Sequence, residues 1–142
     1  MNISISRLIT GWFILAVLLT GIVPVYDFML STFQSEIAAV PGYSNKEMLF
    51  AIIGETLRAL LLIYLYPQLK NTGNSFFHAL WFGLITTSLV GSVWLFIGYG
   101  SFNLTNPNSF LINDTIILLL QGIISGIVLY GVYKNKKVRL IT

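Results

Sequence analysis

The sequence predicts an all-α integral membrane protein: one domain, residues 1–142, folded as a four-transmembrane-helix bundle with both termini cytoplasmic. Three observations predict it. Hydrophobic residues make up 56% of the chain and charged residues 9%, where soluble domains average about 25% charged. Mean hydropathy is +0.82. Four apolar runs, at about 8–28, 47–66, 76–99 and 110–133, each have the length of about 20 residues that crosses a hydrocarbon core.

The first run, Leu8 to Tyr26, is uncharged, with Arg7 before it and Asp27 after it. It is long for a cleaved signal peptide and no small-x-small site follows it, so a retained span is expected. Pro24 lies near its outer end and should deprive the Thr20 carbonyl of its helical partner. In the connection that follows, Pro41-Gly42 marks a turn. Ser44-Asn45-Lys46-Glu47 then reads as a capping box that starts the second span. That span should end at Tyr66, because Pro67 disfavours helix in the residue before it.

No Lys, Arg, Asp or Glu occurs between Asn71 and Asn113. The third span should start after a cap at Asn74 or Ser75. Ala79, Gly83, Thr87 and Gly91 recur every four residues along it, a small-residue stripe suited to close helix packing, with a pore lining as the alternative. The loop SFNLTNPNS, 101–109, leads to the fourth span. There Gly122-x-x-x-Gly126 is a second close-packing pattern. Asp114, Gln121 and Ser125 share the face beside those glycines, and Asp114 suits the helix N-terminus.

Topology follows from the positive charges. Arg7, Lys70, Lys134, Lys136, Lys137 and Arg139 fall on one side if four spans are drawn, and Lys46 on the other. The positive-inside rule then makes both termini cytoplasmic. Tyr and Trp cluster where the interfaces should lie. The expected location is a bacterial inner (plasma) membrane. The net charge of +3 comes largely from the tail, where it serves as a topology signal; it is too small and local to suggest nucleic acid.

The second span carries the chemistry. Glu55 and Arg58 sit near its middle, three residues apart, where opposite charges on a helix can meet. Each charge at a helix centre costs about 2.5–3.5 kcal/mol on insertion scales. Ten Leu, Ile or Phe residues between Met48 and Tyr66 return roughly 3–6 kcal/mol. The helix is therefore marginal alone and depends on neighbours. Ala51, Glu55, Arg58, Ala59 and Leu62 share a face that should point into the bundle.

Two functional readings follow. In the first, Glu55, Arg58 and Gln121, with Thr87 and Ser125 as secondary polar groups, form a mid-membrane site that binds or moves a small ligand, ion or lipid headgroup. Transport would require a homo-oligomer, since four helices enclose little space. In the second, the pair fixes helix register and the chain is an accessory or assembly subunit. Gly83, Gly91, Gly122 and Gly126 would then dock a partner membrane protein.

An enzyme is disfavoured, and no catalytic residue, metal ligand or cofactor is assigned. There is no cysteine, no HExxH, no nucleophile elbow and no pair of mid-membrane carboxylates. His78, the one histidine, lies near a span end and suits an interfacial role. Asn103-Leu-Thr105 and Asn113-Asp-Thr115 match glycosylation acceptors weakly. Glu55 and Tyr64 recur as Gln121 and Tyr130 at an offset of 66, which would suit two repeated hairpins. Chance recurrence is the simpler account.

Overall fold

A computed structural model describes residues 5–33, 45–68, 75–101 and 107–134. These residues form four helices: α1 (Ile5–Phe33), α2 (Asn45–Leu65), α3 (Phe76–Ser101) and α4 (Pro107–Tyr133). A 3₁₀ turn at Tyr66–Gln68 follows α2. No strand occurs among the described residues.

The helix ends follow local chemistry. Pro67 stops the α-helix at Leu65 and the chain tightens into the 3₁₀ turn. Pro107 opens α4, three residues before the expected start near 110. Proline fits the first helical position because the N–H it lacks would have no partner there. α1 is longer than the expected 8–28. It continues through Pro24 to Phe33.

Stretches in three helices, Ile5–Tyr26 of α1, Phe76–Val93 of α3 and Asn108–Tyr133 of α4, are long and apolar enough to cross a membrane. The outward-facing side chains agree. Phe13, Val17, Leu57, Leu61, Leu89, Phe96 and Ile127 are all exposed on the isolated chain. A soluble protein rarely displays so continuous an apolar surface. This is an integral membrane protein. α2, which carries both central charges, has 21 residues and is about 31 Å long.

Neighbouring helices in the bundle run antiparallel. At one end Arg7 Nη2 donates to the Gly131 carbonyl at 2.9 Å, and towards the other Tyr26 Oη lies 3.5 Å from Asn113 Oδ1. α3 packs most extensively on α4, α1 packs on both α2 and α4, and α2 touches α4 lightly. The helices thus form a bent row, α3–α4–α1–α2. Two equivalent hairpins would pair α3 with α2 as closely as α1 with α4. They do not, so the offset of 66 in the sequence has no counterpart in the packing.

The apolar core sits in the half of the bundle that contains the start of α1 and the end of α4. Leu15, Leu19, Ala59, Leu62, Ile63, Leu129 and Val132 are buried there. Tyr66 closes the core, its ring 5.3 Å from those of both Phe82 and Tyr133. Tyr133 Oη donates to the Ile63 carbonyl at 2.6 Å, tying α4 to α2.

The α3–α4 seam depends on missing side chains. A Cβ on Gly83 would lie 2.5 Å from the Gly122 carbonyl oxygen and 2.6 Å from the Gly126 nitrogen. A Cβ on Gly126 would lie 2.6 Å from Leu80 Cα. Backbone meets backbone at this crossing, which leaves no room for any larger residue. Gly91, by contrast, faces the movable Leu118 side chain.

Several features named from the sequence lie outside the described residues: the Pro41-Gly42 turn, Ser44 of the capping box, the acceptor at Asn103 and the tail beyond Lys134. The side chain of Ala51 does as well.

Candidate functional site

The polar cluster forms where three helix midpoints converge. Leu19 is the middle residue of α1 (Ile5–Phe33), and Glu55 is the middle residue of α2 (Asn45–Leu65). Gln121 is one residue past the middle of α4 (Pro107–Tyr133). An all-apolar crossing would have been cheaper, so each polar group here needs a partner.

On α2, Arg58 Nη1 lies 3.1 Å from Glu55 Oε1 and 3.2 Å from Oε2. The spacing of three residues brings the two side chains together on one helix face. On the isolated chain Arg58 is 12% exposed and Glu55 22%, so the ion pair is largely covered by protein. From α4, the Gln121 oxygen accepts from the same Arg58 Nη1 at 3.0 Å. Its amide nitrogen donates to Glu55 Oε1 and to the Leu19 carbonyl, both at 3.3 Å. Gln121 is 2% exposed. A carboxamide suits this position because it offers an acceptor to the cation and a donor to the anion.

The structure brings Glu55, Arg58 and Gln121 into one network. It does not bring in the two secondary groups. Ser125, fully buried, donates to the Gln121 carbonyl of its own helix at 2.7 Å. Thr87, also fully buried, has no hydrogen-bond partner for its hydroxyl among the described residues. Its neighbour Thr86 bonds back to the Phe82 carbonyl at 2.5 Å, so local backbone capture was open to a threonine in this helix. Gly83, Gly91, Gly122 and Gly126 are buried. Gly83, Gly122 and Gly126 line the α3–α4 crossing and Gly91 packs on Leu118 of α4, so all four serve contacts within the chain. His78 is exposed.

Comparison of the chain with protein-family models, with curated proteins and with solved structures gives no match. The residues themselves carry the functional reading.

One participant could not be read from side chains. The Leu19 carbonyl, on the first helix, accepts from Gln121 on the last. The sequence offered a near signal in Pro24, which loosens the ladder at Thr20; the acceptor used is one residue earlier. A second contact of this kind is the Trp12 indole nitrogen, which donates to the Thr56 carbonyl at 3.1 Å.

The network leaves the guanidinium incomplete. Arg58 Nε and Nη2 are both buried and have no hydrogen-bond partner among the described residues. An arginine carries five N–H donors, and three of them belong to these two nitrogens. Glu55 and Gln121 therefore satisfy one nitrogen of three. Among the described residues no group of three or more His, Cys, Asp or Glu comes together.

Proposed function

We propose that the chain is a non-enzymatic membrane protein with four spans and cytoplasmic termini, in which Glu55, Arg58 and Gln121 form a mid-membrane site for a small ligand. The observation that carries this reading is the pair of buried nitrogens on Arg58 that have no partner among the described residues. A purely structural ion pair gains most when every donor is met, because each buried donor left unmet costs about 1–3 kcal/mol. Here the cation is held at one nitrogen and left short at the other two. α2 counts as the fourth span because its outward side chains, among them Leu57, Leu60 and Leu61, are as apolar and exposed as those of its neighbours.

The opposing reading has its own support. Gln121 joins α2, α4 and α1 through one amide, which is what a register-fixing staple would do.

Two experiments separate these readings. The chain has no cysteine, so single cysteines placed at either terminus and in each loop report sidedness cleanly with a membrane-impermeant thiol reagent. Termini protected in intact cells and loops alternating support four spans; a labelled terminus overturns the topology. For the site, the purified protein is screened against small anions, cations and neutral amphiphiles by thermal shift. Stabilisation that vanishes in a folded Glu55→Gln/Arg58→Gln variant supports the site. Identical responses in both proteins leave the pair structural.

A further inference from the structure

Resting on that reading, we propose that the site takes an oxyanion, a carboxylate or phosphate-type group, on the Nε/Nη2 edge of Arg58, and that Glu55 accepts one proton for each anion bound.

The first half follows from geometry. The Nε–H and one Nη2–H of a guanidinium point the same way and form a planar fork that matches two oxygens of a carboxylate or phosphate. That edge is the one left without a partner among the described residues, while Nη1 is occupied by Glu55 and Gln121. A metal cation or an ammonium group would find no acceptor there. Both nitrogens are covered by protein in this arrangement, so binding requires the surrounding helices to part. α2 and α3 make little contact along their lengths, so few packing interactions hold α2 on that side.

The second half follows from charge. Glu55 and Arg58 bring the site to a formal charge of zero. An added anion would leave an uncompensated negative charge in a low-dielectric interior, which is strongly unfavourable. Protonation of Glu55 restores neutrality: the anion and one proton enter, and both leave together. Arg58 then stays ionised and turns its charge to the ligand. The groups facing Glu55 are Arg58 from α2, the Gln121 amide from α4 and the Leu19 carbonyl, which that amide also holds, from α1. Within six residues of Leu19, Glu55, Thr87 and Gln121 on their helices, the sequence has no other Asp, Glu, Lys, Arg or His. No other side chain of these types at this depth can take the proton.

The test uses the full chain in nanodiscs of zwitterionic phosphatidylcholine, with octanoate as probe across roughly pH 6–8, where a carboxylate of ordinary pKa about 4–5 stays ionised. Binding is read from the ¹⁵Nε–H resonance of Arg58, assigned by its loss in Arg58→Lys. One linked proton makes the apparent Kd rise tenfold for each unit of pH increase. Glu55→Gln should bind with a Kd independent of pH, and Arg58→Lys, which lacks that resonance and is followed instead by equilibrium dialysis of labelled octanoate against the same nanodiscs, should bind at least tenfold more weakly. Nanodiscs containing anionic phosphatidylglycerol separate the sources. Competition there shows that a headgroup occupies the fork, no competition points to a free acid, and either result supports the oxyanion chemistry. A pH dependence that persists in Glu55→Gln means that the probe binds as neutral acid, and it overturns the coupling. Binding of sodium ion or octanol but not octanoate overturns the oxyanion assignment and leaves the site. No response to any of the three probes overturns both.

Discussion

A single amide on α4 contacts both charges on α2: Gln121 Oε1 lies 3.0 Å from Arg58 Nη1, and Gln121 Nε2 lies 3.3 Å from Glu55 Oε1. The ion pair is therefore not a closed matter of one helix. Its two ends are linked through a second helix and, by the Leu19 carbonyl, through a third.

Removing one charge should be worse than removing both. Glu55→Gln strands the Arg58 cation among buried groups, whereas Glu55→Gln with Arg58→Gln leaves two neutral amides. Breaking a buried pair costs about 3–5 kcal/mol, and replacing it whole is often near neutral. Unfolding followed in detergent should rank the single variant below the double. Equal stability would show that the charges do not interact.

Gln121→Leu keeps the bulk and removes the bridge. Arg58 loses an acceptor, and Glu55 and Leu19 lose a donor. The expected loss is about 1–3 kcal/mol. In a double-mutant cycle with Glu55→Gln the two changes should couple by at least about 0.5 kcal/mol. Simple additivity would mean that the contact carries no energy.

The glycines divide into two kinds. Gly83→Ala drives a methyl into the Gly122 carbonyl and should destabilise by about 1–3 kcal/mol, as overpacking does. Gly54→Ala meets nothing within 4 Å and should be neutral or stabilising by up to about 1 kcal/mol from helix propensity. Thermal unfolding of the two variants side by side decides it, and an equal response would refute the close crossing.

Thr87→Val exchanges a buried hydroxyl that has no partner among the described residues for a methyl group of similar size. It should raise stability, by about 1 kcal/mol or more, because an unmet polar group is removed. A clear loss of stability would mean that the hydroxyl has a partner in the membrane.

Tyr133→Phe deletes the bond to the Ile63 carbonyl but keeps the ring against Tyr66. A loss of about 0.5–1.5 kcal/mol is expected. Amide exchange at the end of α2 should quicken if this bond ties it to α4.

Much of the architecture was legible because lipid imposes a simple rule. Apolar runs of the right length, broken by Pro67 and polar loops, mark helices whatever their neighbours. The convergence of Glu55, Arg58 and Gln121 was legible too, since each is costly at mid-helix and needs company. What the sequence left unread is relative placement. Thr87 carries the same label as Ser125, a small polar residue at depth, yet one is unpartnered and the other bonds its own backbone. Nor could composition show that α1 sits between α2 and α4. Such adjacency depends on which surfaces fit best, and a backbone acceptor such as the Leu19 carbonyl leaves no mark in the side-chain pattern.

That carbonyl sets a timetable. Leu19 leaves the ribosome 102 residues before Gln121, so the contact between them waits until α4 has been made. Until then Glu55 and Arg58 have each other and no amide from α4. A nascent chain halted before α4 would hold its two charges without that bridge.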